Sequence, residues 1–268
     1  MANKAYDNFF LSNEVEDQFN SHLDLARFCT HDNTLEGTEG MKRMINVYTA
    51  TNGTEKLAQG EGNTKSIEVS HATREYTIQL AQNRFVWFDE EAMKDPMIVP
   101  TGMQHAGTDM FNTVNGDVFG EFKKASLSVP ATAFNFDAFA DAVAMMTLPE
   151  NSGIEVFGFV SAEAKKALRK ALKDDLKYVE AFVRTGYIGT VCGVNLYDKR
   201  DADDNEIVIG TKKAVKIFTK KGTEVEVISK NTRGADDANV RKNTAFSRKY
   251  YIPALVDETQ AVRITLNA

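Results

Sequence analysis

The order of hydrophobic periodicities along this 268-residue chain predicts an α+β fold. Three observations carry that reading. Residues 50–77 are β-prone, yet their only large apolar residues are Leu57, Ile67, Val69 and Tyr76, so a two-stranded ribbon made from them is marginal alone in water. Residues 101–125 hold one long helical pattern, with Met103, Ala106, Met110, Val114, Val118 and Phe122 spaced by three or four. Beyond residue 190 strands follow one another, and helices followed by runs of strands argue against a doubly wound sheet.

Residues 13–27 read as an amphipathic helix, with Asn13 and Glu16 spaced as a capping box and Val15, Phe19, Leu23 and Ala26 on one side. Residues 28–40 read as a flexible link, and 44–49 as a strand leading into a long hairpin arm. Gly53, Gly60 and Gly62 interrupt the arm's first half, and 65–77 alternates apolar with polar residues. Such an arm lacks partners of its own and is expected to rest on another subunit. The return strand, 74–88, ends in the apolar run Phe85-Val86-Trp87-Phe88, expected in the core.

The helix over 101–125 spans roughly 35 Å at ~1.5 Å per residue. Gly107, Gly116 and Gly120 each weaken it by about 1 kcal/mol against alanine, so its stability must come from packing. Asp117 and Glu121 fall on or beside the apolar stripe. Either the stripe drifts towards Phe119 and Phe122, or the two acids meet basic groups of a neighbour. A helix at 136–147 capped by Asn135, a strand at 154–160 and a helix at 162–172 capped by Ser161 follow. Strands are then expected at 190–197, 206–209, 214–218, 224–229, 248–255 and 261–266, with no internal repeat.

With 43% hydrophobic residues the chain can bury a real core. Its start, interrupted by Lys4, Asp7, Glu14, Glu16 and Asp17, is unlike a signal peptide, and no apolar run approaches the ~18 residues of a membrane helix. A cytosol-like compartment is expected. Cys29 and Cys192 make no disulfide framework. The net charge of −6 is uneven: residues 1–40 carry eight acids against Lys4 and Arg27, whereas 211–250 carry eleven Lys or Arg against four acids. Two readings stay open, a pair of solvated faces or an acidic arm docked on the basic segment of a neighbouring copy.

Candidate chemistry is thin. Residues 60–66 imitate a phosphate-binding loop, but Gln59 and Thr64 stand where its glycines belong and a strand follows where a helix should supply amide donors. Gly186, Gly189 and Gly193 have the wrong spacing for a dinucleotide fingerprint and suit tight turns. Asp201, Asp203 and Asp204 open like an EF-hand loop, yet Glu206 and Lys212 replace its glycine and bidentate glutamate, leaving an acidic hairpin tip as the expectation. His22, Cys29, His31 and Asp32 match no zinc spacing, and His71 and His105 stand alone. Asn52-Gly53-Thr54 fits a hairpin turn better than a glycosylation acceptor. No catalytic, metal or cofactor-binding residue is assigned.

The order of elements resembles the coat subunit of tailed bacteriophages with the HK97-type fold, over nearly the whole chain. Leu57-Ala58-Gln59-Gly60-Glu61-Gly62 is similar to the segment opening that family's extended E-loop. Val183 to Val194, containing Gly186, Gly189 and Gly193, is similar to its glycine-rich stretch, and Arg241 through Tyr250-Tyr251-Ile252-Pro253 to Val262 is similar to its closing strands. The resemblance implies an N-arm at 1–40, a peripheral P-domain strand at 41–49, an E-loop at 50–77, and a P-domain with a spine helix over 78–125. An axial A-domain follows at 126–210 and resumes at 251–268, with 211–250 returning through the P-domain. The arm is short beside that of relatives with a cleaved scaffolding domain, so a separate scaffolding protein or none is implied; Lys56 and Lys65 lie in the E-loop, but no motif identifies a crosslinking partner.

The implied function is mechanical: hexamers and pentamers of identical subunits form an icosahedral virion shell around double-stranded DNA, assembled in the host cytoplasm. The partners implied are DNA bound without sequence specificity, a portal protein, a scaffolding protein and a decoration protein, and no membrane. Inter-subunit contacts are expected from Lys56, Leu57, Lys65, Ile67, Val69 and Arg74 of the E-loop, from Glu14, Glu16, Asp17 and Phe19 of the N-arm, and from Asp117 and Glu121 of the spine helix. Asp201, Asp203 and Asp204 are expected in an axial loop. The alternatives are an encapsulin-like cellular shell and, from another class, a soluble hydrolase.

Overall fold

In a computed structural model, residues 23–37, 39–51, 53–148, 153–171, 187–229 and 238–266 are described. Their strands are β1 (Thr30–Asp32), β2 (Lys42–Ala50), β3 (Val69–Thr77), β4 (Gln79–Phe88), β5 (Leu127–Ala131), β6 (Val156–Val160), β7 (Tyr187–Val191), β8 (Val194–Asp198), β9 (Glu206–Thr211), β10 (Val215–Ile228), β11 (Lys242–Leu255) and β12 (Ala261–Leu266). The helices are α1 (Asp89–Lys94), α2 (Ile98–Phe122), α3 (Phe136–Met145) and α4 (Ala162–Ala171). They form a four-stranded sheet in the order β1-β10-β11-β4, a mixed six-stranded sheet in the order β5-β12-β9-β6-β8-β7, and the separate ribbon β2-β3.

The central strand β6, Val156-Phe-Gly-Phe-Val160, shows how one sequence pattern organises two cores. Its side chains alternate across the sheet. Val156 and Val160 face α3 and α4, where they meet Phe139, Ala142, Ala164 and Leu168. Phe157 and Phe159 face the opposite way, against Phe119 and Phe122 of α2, Phe28, and Val215, Ile217 and Leu255 of the four-stranded sheet. Both faces are covered, so the whole strand is apolar and buried. The rings meet at tilted and edge-to-face angles, with Phe122 5.8 Å from Phe157 and 5.7 Å from Phe159 between centroids. Each fully buried ring contributes about 1.5–3 kcal/mol. Gly158 lies on this strand because a Cβ there would come within 2.9 Å of Leu196.

The helix caps read at Asn135 and Ser161 are present, and the Asn13–Glu16 capping box lies outside the described residues. Asn135 Oδ1 accepts from Ala138 N–H at 3.0 Å, and Ser161 Oγ accepts from Ala164 N–H at 3.1 Å. The long helix starts earlier than the apolar spacing indicates, at Ile98, and takes Pro100 into its first turn, where a missing N–H costs nothing. Its buried residues all lie from Met110 onward.

Several expectations are corrected. Of the helix over 13–27, residues up to 22 lie outside the described region; the rest is only a 3-10 turn, Ala26–Phe28, begun by Asp24, whose carboxylate accepts from Ala26 N–H at 3.0 Å. The expected flexible link at 28–40 is partly docked: β1 pairs in parallel with β10, and Leu35 is buried beside Phe218 and Ile252. The return strand over 74–88 is two strands, because Ile78 turns into that same apolar cluster and hands the chain from one sheet to another. Phe85 to Phe88 are half-buried rather than core, since β4 is the edge strand of its sheet.

The strand expected over 190–197 is a hairpin, β7 and β8, whose two-residue turn puts Cys192 at φ 50 and Gly193 at φ 81. The strands at 214–218 and 224–229 are one, β10, with register shifts between Thr219 and Glu224, and the strand expected from 248 starts at Lys242. Tyr251 to Leu255 remain in the four-stranded sheet. Residues 199–205 are not a hairpin tip. They join β8 to β9, and β6 lies between those two strands, so the loop crosses the end of β6 and Lys199 N–H donates to Val160 O at 2.9 Å.

Candidate assembly surfaces

The ribbon β2-β3 runs in register from Lys42 opposite Thr77 to Ala50 opposite Val69. Thr51 N–H then donates to Glu68 O at 3.0 Å, and the ladder ends. The tip keeps its shape through polar groups. Thr64 N–H and Oγ donate to the Glu55 carboxylate at 2.9 and 3.0 Å, and Lys65 Nζ stands 3.8 Å from it. Those bonds, led by the Thr64 amide, hold the Glu55 carboxyl below its ordinary range. The reversal is at Gly60, φ +93, where Glu61 N–H reaches Ala58 O at 3.1 Å. It is not at Gly53, as the sequence suggests, since Gly53 packs so tightly that a Cβ would come within 2.6 Å of Ile67 N; Asn52 lies outside the described residues.

The arm's apolar side chains have no such support. Leu57, Ile67 and Val69 are 47%, 61% and 65% exposed, Met44 and Tyr48 are exposed as well, and Lys56 points to solvent beside them. Exposed apolar groups gathered on one slender element mark an interaction surface.

At its root the arm is tied to the body. Arg74 Nη2 pairs with Glu258 Oε1 at 2.6 Å, and Tyr76 O–H donates to Leu255 O at 3.0 Å. Burial pushes the Tyr76 phenol above its ordinary value, helped by the nearby Glu121 charge. These partners are about 180 residues away in sequence, and no local signal announces them.

Asp117 and Glu121 of the long helix also find partners inside the chain. Asp117 accepts a short hydrogen bond from the Tyr251 hydroxyl, and burial followed by that bond pushes the phenol well above its ordinary range. Glu121 is only 5% exposed, with Lys124 Nζ on Oε1 at 2.5 Å. The stripe has drifted, and Phe119, Glu121 and Phe122 are all buried.

In the crossing loop Asp201 pairs at 2.6 Å with Lys199, whose side chain is fully buried under Phe119. Asp203 Oδ1 accepts from Asn205 N–H at 3.4 Å, and Asp204 is exposed. Between the acidic start and the basic 211–250 segment, Asp32 pairs with Lys216 at 2.8 Å within the chain. Glu14, Glu16, Asp17 and Phe19, with Val183 to Gly186 of the glycine-rich stretch, lie outside the described residues. Among the described residues no group of three or more His, Cys, Asp or Glu is placed to hold a metal ion, and no helix is long and apolar enough to cross a membrane.

A projecting two-stranded arm, a long helix held between two sheets, and a six-stranded mixed sheet backed by helices constitute the HK97-type capsid fold. The chain is 23% identical over 261 residues to the major capsid protein of Staphylococcus phage phiMR11, spanning 94% of this chain and 90% of that protein. It superposes on the capsid structure of cyanophage P-SCSP1u with a TM-score of 0.73 at 13% identity, covering 96% of this chain and 92% of the other. The mature capsid of bacteriophage PhiM1 gives 0.71 at 15%, covering 98% and 92%, and Mycobacterium phage Che8 gives 0.69 at 18%, covering 97% and 98%. No family model matches the chain.

Proposed function

We infer that this chain is a major capsid protein, a structural subunit that assembles with its own copies into the shell of a phage virion. The observation that carries this is the arm: in a chain whose described residues have a capsid fold, Leu57, Ile67 and Val69 stand exposed on a ribbon. Laid across the next subunit, each of these side chains contributes about 1.5–3 kcal/mol when fully covered. Closure multiplies such contacts, because a subunit held by several neighbours leaves only when all of them fail together.

In this reading residues 50–77 are the E-loop, the long helix is the spine of the P-domain, and the crossing loop with Asp201, Asp203 and Asp204 lies near the axis of each hexamer or pentamer. The shell encloses double-stranded DNA without reading its sequence, and the net charge of −6 keeps that DNA from adhering to the wall. Portal and scaffolding proteins complete the particle, which assembles in the host cytoplasm. Electron microscopy of the purified protein tests the reading: hollow closed particles are expected, and a protein that stays monomeric at high concentration overturns it. Deleting residues 54–72 is expected to leave a folded chain unable to close shells, and normal particles from that deletion remove the arm from the mechanism.

A further inference from the structure

A cleft of about 400 Å³ opens between α2 and the uncovered outer part of β10 and β11. Met103, Met110 and Phe111 line it from the helix and Val225 from the sheet, and Gly107 leaves the helix bare there, with nothing within 4 Å of where a Cβ would stand. Two polar groups in its wall are incompletely used. Asn115 is only 3% exposed, and its Oδ1 accepts from Leu25 N–H at 3.0 Å, but its Nδ2 is buried without a partner. Lys249, half-buried, stands 5.9 Å from the centre of the Tyr251 ring, and burial lowers its pKa. A buried amide donor and a desolvated cation both call for an acceptor or an anion.

Asp24 and Ala26 also line this cleft, and the Leu25 bond to Asn115 fixes the chain there. Residues 1–22 immediately precede this lining segment in the chain. They contain Phe9, Phe10, Leu11, Val15 and Phe19 for the apolar wall, and Asp7, Glu14, Glu16 and Asp17 for Lys249. We propose that residues 9–19 dock into the cleft between α2 and β10 of their own chain, with acidic side chains towards Lys249 and aromatic side chains on Met103, Met110 and Val225. The tether favours the segment's own chain over a neighbour's by raising its local concentration.

Disulfide trapping in the full chain tests this. In a Cys192→Ser background, which leaves only the buried Cys29, Phe10→Cys is combined with Val225→Cys and oxidised with diamide, which takes up the two hydrogens released as the S–S bond forms. The expected product is a monomer-sized band that migrates faster until reduced, and Lys249→Glu added to the pair lowers its yield. Phe10→Cys with Leu57→Cys on the arm is expected to give no such band. A band of twice the mass places the segment on a second copy, and no disulfide from a variant with native circular dichroism leaves the cleft without this occupant; either result overturns the proposal.

Discussion

Arg74 and Glu258 meet at 2.6 Å and join the root of the arm to the turn that enters the last strand of the other sheet. With each side chain about one-third exposed, the pair is worth little to global stability, about 0.2–1 kcal/mol. Its importance is geometric, since with the Tyr76 bond to Leu255 it sets the direction in which the ribbon leaves the body. A double-mutant cycle of Arg74→Ala and Glu258→Gln is expected to show a coupling of about 0.5 kcal/mol in urea denaturation. Amide exchange over residues 42–50 and 69–77 rises in both single variants, while β10 and β11 keep their protection.

Gly53 tests the arm without disturbing the body. A methyl group there meets Ile67 N at 2.6 Å and the Ile67 side chain at 2.8 Å, so Gly53→Ala must splay the two halves of the tip. Strain of about 1–3 kcal/mol is expected, confined to the arm. The thermal midpoint of the unassembled chain stays near the parent's, and the yield of closed particles in sedimentation falls. A lowered midpoint with normal particles would contradict both halves of this prediction.

Asp32 makes stability depend on acid. The Lys216 ammonium, then the Thr34 side chain and amide, hold its carboxyl well below the usual carboxylate range. Its folded pKa lies below its unfolded value of about 3.9, so the contribution is fully present above about pH 4 and is lost as pH falls from there towards the folded value. Melting temperatures from pH 7 to pH 2 should fall more steeply for the parent than for Asp32→Asn. At pH 7 the variant should already be less stable by about 1 kcal/mol.

The two cysteines should differ in reactivity. Cys29 is fully buried, and burial first, then the Asp24 charge, pushes its thiol up to about 12; Cys192 is partly exposed at the β7–β8 turn, with its thiol raised less, again by burial and then by Asp137. Titration with Ellman's reagent at pH 8 is expected to modify one thiol slowly in the native protein and the second only with unfolding.

Local chemistry was readable and long-range partnership was not. The caps at Asn135 and Ser161 involve residues three apart, and the last strand, Ala261–Leu266, carries its own alternation, so sequence alone places them. The break at Ile78 and the crossing at 199–205 depend on which strands become neighbours, and a run of strands does not state its order in a sheet. The arm was legible through what it lacks, namely enough apolar residues to stand alone. Its root was not, because nothing local to Leu255 or Glu258 points to Tyr76 and Arg74, which folding brings to them from about 180 residues away.

The long helix is fastened unevenly. All its buried apolar side chains, from Met110 onward, sit in two hydrophobic centres, whereas its first dozen residues rest on β4 through half-buried contacts such as Gly102 against the Phe85 ring. A cantilever built this way can flex at its free end while its clamp stays still. In the shell proposed above, copies at differently curved places would tilt that end to suit local geometry and keep one and the same interior.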